Sequence, residues 1–305
     1  MNNVLSTKVT VFRNVKDFKF DTKLMPEQKQ QIVEILANAL ADKMTFVTLN
    51  QIDGNVVNYL KSNDLLMPNT QNLFISKNNR LAINLFNGEH LLVVSTCEGY
   101  NNDAITKAMS LVQEMSSKIN FAFSDEYGYL MSDISKIGAG IKIECNIMLS
   151  AITSINKMEQ VKQNVAKLGF MLKETKFPAV YTLSTKCNLG LTESQIFEDF
   201  EKTLAKLQDL EIESVKMLDA TKHDELLDKN LRSLAVLNAA HMLTYDELYN
   251  IIVNLRMGVN LGIVDLKAET LNKLQKLITG KTNDLVSQTE LKELAAKVKT
   301  ILKGE

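Results

Sequence analysis

The stretch FSDEYGYLMSDISKIGAGIKIECNIML occupies residues 123–149 and decides how the chain folds. It opens with turn-forming residues, passes Gly138 and Gly140, and ends in alternating apolar and polar residues. Two glycines so close together favour a tight turn, and the alternation after them predicts a β-strand over residues 141–148. Functional groups are often found on such loops. This stretch keeps the residues that form the turn and lacks the groups that catalysis needs.

Strand patterns surround this stretch on both sides. Short β-branched or alternating runs bounded by turn residues predict strands over 4–13, 72–77, 80–86, 90–96, 170–173 and 180–185. The pairs Asn78-Asn79 and Asn87-Gly88 predict the turns between the second, third and fourth of these strands. Strands joined by such short turns form an antiparallel sheet.

Helical periodicity appears between the strands and then replaces them. Apolar residues spaced three and four apart predict helices from Pro26 to about 43, over 101–119 and over 154–168. A capping box, Thr192 to Gln195, starts a further helix, and after residue 213 only helical patterns remain. We therefore expect an α+β domain over 1–215, with a mostly antiparallel sheet flanked by helices, and a small all-helical domain over 216–305.

The composition is that of a soluble globular protein. Of the 305 residues, 45% are apolar and 23% charged, and the formal net charge is −1, so no basic excess points to a nucleic-acid partner. We find no run of about 18 uncharged apolar residues and no signal pattern in MNNVLSTKVTVFRN, so we expect no membrane span. The three cysteines, Cys97, Cys145 and Cys187, form no CxxC pair, which favours a reducing cytoplasm and predicts no metal site.

Five segments carry a family resemblance. They are STKVTVFRNV (6–15), FNGEHLLV (86–93), EYGYLMSDISKIGAGIKIEC (126–145), YTLSTKCNLGLTES (181–194) and NLRSLAVLNAAHMLTYDELYNIIVNLRMGVNLGIV (230–264). The first resembles S-[ST]-R-I-R-L-A-R-N-L of the ATP:guanido phosphotransferases, and the second resembles that family's N-E-E-D-H-L-R-I. The third and fourth resemble L-G-Y-L-T-x-C-P-T-N-x-G-T-G-L-R-A-S-V and Y-Q-I-S-N-Q-x-T-L-G-x-S-E. The fifth is similar to the C-terminal domain of the bacterial protein-arginine kinases (McsB type).

This resemblance implies a guanido kinase/glutamine synthetase-like fold and a phosphoryl-transfer ancestry. The family moves the γ-phosphoryl group of ATP to a guanidinium nitrogen. Positioned cations must cancel the charge of the migrating group, and the family uses several arginines for this, with a carboxylate that orients and deprotonates the guanidinium. Arginine suits the task because its fork is bidentate and permanently charged.

At most of the motif positions where the family has its arginines and its catalytic carboxylate, this chain has other residues. The resemblance places Gly88 at the catalytic glutamate, Leu92 at an arginine and Asp133 at the family's cysteine. The two arginines of the opening motif fall on Lys8 and Thr10. We therefore expect no catalytic residues. Asp133 has two interpretations, a functional carboxylate or a solvated turn residue.

Four residues remain as candidates for residual nucleotide or phosphate binding. The family histidine is kept as His90, and further arginine positions fall on Lys142 and Lys173, which with Lys8 retain positive charge. Lysine still acts as a point charge toward phosphate. The alternatives are that the lysines are ordinary surface residues and that His90 is a structural strand histidine. The flexible, acid-bearing loop of the family is missing from the shorter segment 169–190, where Pro178 stiffens the remainder.

The leading hypothesis is a catalytically inactive, kinase-like protein with a regulatory, scaffold or phosphoarginine-binding role. The resemblance implies protein partners: an active arginine kinase, its zinc-binding activator or Clp-type protease machinery, in a homo- or heterodimer of a bacterial cytoplasm. No cofactor is expected. One alternative is an active ATP:protein-arginine phosphotransferase that uses Mg-ATP at a lysine-based site, with Asp133 or Glu89 as base. Another is a module that binds ATP without turning it over.

Overall fold

The computed structural model describes residues 3–40, 43–77, 80–186, 189–278 and 286–304. Its strands are β1 Val4–Arg13, β2 Met44–Thr48, β3 Asn72–Ser76, β4 Leu81–Leu85, β5 Leu91–Glu98, β6 Phe123–Ser124, β7 Gly128–Tyr129, β8 Ile141–Met148, β9 Phe170–Glu174 and β10 Val180–Thr185. Its helices are α1 Pro26–Leu40, α2 Gly54–Ser62, α3 Asp103–Ser116, α4 Ser150–Ser154, α5 Met158–Lys167, α6 Glu193–Ala239, α7 Tyr245–Asn260, α8 Ala268–Ile278 and α9 Gln288–Lys303.

Eight strands form one antiparallel sheet in the order β2-β3-β4-β5-β1-β8-β10-β9. The strand β1 lies at its centre, paired with β5 on one side and β8 on the other. The strands β6 and β7 form a separate two-stranded hairpin. The predicted α+β class with a mostly antiparallel sheet is thereby confirmed.

The two faces of the sheet carry different side chains because strand residues alternate. On β1, Val9 and Val11 point into the main core, where α1, α3 and the first half of α6 pack. Phe12 points to the opposite face, where residues of the α2 segment, among them Leu60, form a smaller core. This second face also carries the charged residues described below.

Two parts of the sequence-based prediction differ from the structure. The strand β2 and the helix α2 were not predicted, because their short apolar runs lack clear periodicity. The helix predicted over 154–168 is found as α5, which begins only at Met158, and the separate short helix α4 before it was not predicted. Between them Asn156 has a left-handed φ of 57°, which no α-helix can contain. The predicted Asn78-Asn79 turn and Cys187 lie outside the described residues.

The C-terminal part is helical, as predicted. The helix α6 starts at the predicted Thr192–Gln195 capping box and runs for 47 residues, interrupted by a non-helical Lys222 (φ −140°). Its early residue Phe200 lies in the sheet core, whereas its late residue Leu237 lies in the core of α7, α8 and α9. The domain boundary near 215 falls within α6 and stays a prediction. Among the described residues, we find no helix both long and apolar enough to span a bilayer.

Candidate functional site

Strand pairing brings most of the residues that align with the family's arginines onto the second face of the sheet. Thr10 of β1 lies opposite Lys142 of β8, and Lys8 lies opposite Glu144. Leu92 of β5 lies opposite Phe12 and so shares this face. Lys173 shares it too, through Thr182 on β10, but it lies on the edge strand β9 and is exposed.

The two central lysines on this face lie near carboxylates of the same chain. The Lys142 Nζ lies 2.6 Å from the Glu144 Oε1. Lys8 faces Glu144 across the strands and interacts with Asp64, which follows α2. The pKa of Asp64 is raised, chiefly by burial and also by Glu144, while Lys8 acts in the opposite direction. Two positive and two negative groups leave no net charge in this cluster, which we call the charge cluster.

Apolar packing fills the rest of the face. Leu92 is buried among Phe12, Val94, Leu60 and Leu65, so the position of a family arginine belongs to a small hydrophobic core. A hydrogen bond of 3.0 Å from the Thr96 Oγ1 of β5 to the Asn63 carbonyl joins the chain after α2 to the sheet. Thr10 is also buried. Neither Leu92 nor Thr10 can supply a cation.

The β4–β5 turn contains Gly88 at the position of the family's catalytic glutamate. Gly88 has a left-handed φ of 84°, and its N–H donates to the Asp21 Oδ2 at 3.1 Å. A Cβ added there meets nothing within 4 Å. The turn therefore has room for a side chain, but glycine provides no carboxylate.

The side chain of Glu89, next to Gly88, is hydrogen-bonded inside the protein. It is fully buried and accepts hydrogen bonds from the Asn14 Nδ2 (2.7 Å) and from the Ser132 backbone N–H and hydroxyl. A carboxylate can be buried when hydrogen bonds from the protein replace the water that it loses, as they do here. These bonds connect the β4–β5 turn to the loop after β7, and they engage both oxygens of a carboxylate that an active lysine-based site would need as base.

Both ring nitrogens of His90 are engaged inside the protein. The Val15 N–H donates to the Nδ1 at 3.0 Å, and the Nε2 lies 2.7 Å from the Lys19 carbonyl, to which it donates. Burial lowers the pKa of His90, with the Lys19 carbonyl acting in the opposite direction. Because both ring nitrogens are engaged, the geometry favours the structural interpretation of His90 over a role in binding nucleotide or phosphate.

Asp133 caps a short 3₁₀ turn. Its Oδ1 accepts from the Ser135 backbone N–H (3.0 Å) and hydroxyl (2.8 Å), and the Lys136 Nζ lies 3.5 Å from its Oδ2. The hydrogen bonds from Ser135 are the main reason that the pKa of Asp133 is lowered. A carboxylate with a lowered pKa is a weak base, so this environment favours the turn-residue interpretation.

The shortened connection between β9 and β10 is a tight turn packed on the helical part of the chain. The Phe177 ring stacks on Tyr249 of α7 with centroids 4.8 Å apart, and the Tyr249 hydroxyl donates to the Pro178 carbonyl at 2.6 Å. The Thr175 hydroxyl bonds within the turn to the Val180 carbonyl. In the family pattern this connection is the flexible closing loop. Here its remnant is packed against Tyr249 of α7.

A polar cavity of about 680 Å³ lies beside the charge cluster, between the sheet face, the end of α2 and the helix α8. Four lysine or arginine side chains and four carboxylates line it, so its formal charge is zero. At its rim, Lys276 of α8 forms an ion pair with Glu98 of β5. The described residues contain no cluster of three or more metal-ligating side chains, in this cavity or elsewhere.

Sequence reasoning missed the acids that neutralise the lysines. Glu144 had a readable signal, because residues two apart on a strand share a face and Lys142 therefore meets Glu144. Asp64 had none, because it follows a helix that was not predicted. The contact of Tyr249 with Pro178 joins residues 71 positions apart and leaves no local pattern.

Two family models together match most of the chain. The model for the ATP:guanido phosphotransferase C-terminal catalytic domain matches residues 19–214, and the model for the protein-arginine kinase McsB C-terminal domain matches residues 223–301. The chain belongs to the ATP:guanido phosphotransferase family.

Within that family, the similar curated proteins are protein-arginine kinases. That of Clostridium acetobutylicum is 24% identical over 291 residues (89% of this chain and 86% of the relative). That of Listeria welshimeri is 26% identical (89% and 83%), and that of Clostridium perfringens is 28% identical (88% and 85%). The resemblance inferred from the motifs is thereby confirmed.

Solved guanidino kinase structures share the fold. Lombricine kinase superposes with a TM-score of 0.60 at 16% identity, over 68% of this chain and 66% of its own. The duplicated taurocyamine kinase of Schistosoma mansoni gives 0.63 at 19% identity, over 81% of this chain and 39% of its own.

Proposed function

We propose that this chain is a catalytically inactive member of the protein-arginine kinase branch that works through protein partners, as a regulator or scaffold. The observation that carries the proposal is the charge cluster, in which Glu144 and Asp64 offset Lys142 and Lys8. A phosphoryl-transfer site needs fixed cations with charge to spare. Here Lys142 is paired with Glu144, and Lys8 lies near Glu144 and Asp64, so these two cations have no charge to spare.

The missing groups make a useful rate unattainable. Removing one preorganised charge donor from an active site typically raises the barrier by about 3–4 kcal/mol, or roughly 10²–10³ in rate. In this chain Thr10 and Leu92 replace two donors and Gly88 replaces the base. Such losses are not additive, but together with the closed β9–β10 turn they remove the positioning that the reaction depends on.

The same residues do not fit Mg-ATP as a ligand. A nucleotide triphosphate brings several negative charges, which a cavity with four positive and four negative side chains does not offset. Lys142 would first have to leave Glu144. We propose that the protein needs no cofactor, and we therefore derive no step through ATP.

The intact packing supports a role in binding. A Cβ on Gly128 would meet the Gly138 carbonyl at 2.7 Å, and a Cβ on Gly140 would meet the Arg13 Nη1 at 2.9 Å. These retained residues serve the fold and perform no chemistry. A protein whose task is to bind other proteins requires such an intact core and can do without the reactive groups. The proposed partners are an active arginine kinase, its zinc-binding activator, Clp-type protease machinery or arginine-phosphorylated proteins, in a cytoplasmic homo- or heterodimer.

A direct assay tests the loss of activity. Purified protein is incubated with Mg-ATP and an arginine-rich protein, and phosphoarginine is sought by mass spectrometry, with an active protein-arginine kinase as positive control. We expect no product. Product that disappears with Lys142→Ala would overturn the proposal and establish the lysine-based kinase instead.

A thermal-shift assay tests nucleotide binding separately. Ligand at about 100 times its dissociation constant stabilises a protein by about 2.7 kcal/mol, which is an easily measured shift. We expect no shift with millimolar Mg-ATP. Glu144→Gln, which frees Lys142, is the informative variant, because a shift that appears only in this variant identifies Glu144 as the group that excludes the nucleotide.

A further inference from the structure

The β6–β7 hairpin carries two aromatic rings that the rest of the described chain leaves uncovered. Phe123 is 55% exposed and Tyr127 is 49% exposed, whereas Phe200 in the main core is fully buried. A single exposed aromatic ring is ordinary on a protein surface. The charges around these two rings set them apart.

The hairpin itself is acidic. Residues 123–129 include Asp125 and Glu126 and contain no lysine or arginine, so their formal charge is −2. The Tyr127 hydroxyl is hydrogen-bonded to the Glu126 carboxylate, which is the main reason that the pKa of Tyr127 is raised. This bond keeps a carboxylate and an exposed aromatic ring side by side.

The neighbouring ring of the same hairpin shows which group such a pair can hold. The Arg13 guanidinium lies over the Tyr129 ring, 3.4 Å from its centroid, and its Nη2 lies 3.4 Å from the Glu193 Oε1. Phe123 packs edge-on against Tyr129 with centroids 5.1 Å apart, so the exposed ring continues the surface that holds Arg13. On the exposed turn of the hairpin, Tyr127 and Glu126 present the same two groups, an aromatic ring and a carboxylate, that hold the Arg13 guanidinium.

We propose that Phe123, Asp125, Glu126 and Tyr127 form a docking surface for an arginine side chain in a basic segment of a partner protein. Charge complementarity selects a basic partner for this acidic hairpin. The guanidinium is selected over an ammonium group because it is planar, stacks on aromatic rings and bonds a carboxylate with two donors. This surface supplies the partner chemistry for the interaction role proposed above, and it does not depend on the loss of catalysis.

Two synthetic peptides of equal length and charge test the surface. Both are labelled glycine–serine peptides, and one carries several arginines where the other carries lysines. Binding to the full chain is measured by fluorescence anisotropy. We expect the arginine peptide to bind more tightly than the lysine peptide, and Tyr127→Ser or Glu126→Gln to weaken the arginine peptide about two- to fivefold each. Both side chains are exposed, so the variants should keep the melting temperature of the unmodified protein.

Matched controls come from the exposed face of α6. Met217→Ser removes another exposed apolar side chain, and Glu198→Gln removes another exposed acid. Both should leave peptide binding unchanged. Equal binding of the two peptides would overturn the docking surface. Equal losses in the control variants would do the same, as would hairpin variants that change self-association by sedimentation while leaving peptide binding intact.

This test and the phosphoarginine assay fail independently. If the arginine and lysine peptides bind equally, the docking-surface proposal is wrong and the inactive-kinase proposal is unaffected. If phosphoarginine forms, the inactive-kinase proposal is wrong and the docking-surface proposal is unaffected.

Discussion

Replacing Arg13 with methionine should destabilise this protein severely, although Arg13 takes no part in the charge cluster. Arg13 is 0% exposed. Its Nη1 donates to the carbonyls of Phe12 (2.7 Å) and Ala139 (3.0 Å), and its guanidinium contacts the Tyr129 ring and Glu193. Burial lowers the pKa of Arg13, so the charge remains because these partners compensate for lost water.

The magnitude follows from what methionine leaves behind. Two buried carbonyls would lose their charged donor at about 1–3 kcal/mol each, and the desolvated cation–π contact contributes about 2 kcal/mol. Relief from the desolvation of the guanidinium offsets part of this loss. The net expectation is about 3–5 kcal/mol, as for other buried ion pairs that lose one partner.

Urea unfolding followed by circular dichroism measures this difference. Arg232→Met is the matched control, because Arg232 pairs with Asp228 at 2.7 Å but is 76% exposed. An exposed pair contributes about 0–1 kcal/mol, so the control should unfold almost as the unmodified protein does. If Arg13→Met cost less than about 1 kcal/mol, or no more than Arg232→Met, the assignment of Arg13 to the fold would be wrong.

Three further predictions concern other parts of the chain. Gly140→Ala should lower the unfolding free energy more than Gly190→Ala, because both have a left-handed φ but only at Gly140 does an added Cβ meet atoms within 4 Å; equal losses in urea unfolding would contradict the close packing. Tyr249→Phe should lower the unfolding free energy by about 1 kcal/mol and speed amide hydrogen exchange in the β9–β10 turn, because the bond to the Pro178 carbonyl is lost; unchanged exchange in mass spectrometry would show that the stacked ring alone holds the turn. His90 should make a contribution to the unfolding free energy that falls as pH drops below 6.5, its ordinary pKa, since burial lowers the folded-state pKa and the unfolded chain binds the proton first. The difference in unfolding free energy between the unmodified protein and His90→Gln should therefore change with pH in urea titrations, and a difference that stays constant would refute it.

Local patterns were enough to predict most of the sheet and the family. The alternation in 4–13 and 141–148 predicted β1 and β8, which pair at the centre of the sheet. The capping box at Thr192 predicted the start of α6. These signals are readable because a strand or helix cap depends on residues only two to four positions apart.

Other boundaries depended on features without a local pattern. The break between α4 and α5 comes from the left-handed backbone at Asn156, a residue that is also tolerated within helices. Short elements such as β2 and α2 are stabilised by tertiary packing, as Leu60 shows in the smaller core on the second face of the sheet. Single-sequence periodicity does not report such contacts.

The sequence by itself determined the family, most of the sheet and the absence of arginine and glutamate at Thr10, Leu92 and Gly88, since residue identity at a motif position needs no coordinates. Only the tertiary structure decided the state of the lysines that remain. Glu144 reaches Lys142 within its own strand and Lys8 across a strand pair, while Asp64 arrives from the end of a helix. Whether a cation is available to a ligand depends on the distance to the nearest opposite charge, and for Lys8 and Asp64 the fold, not the spacing along the chain, sets that distance.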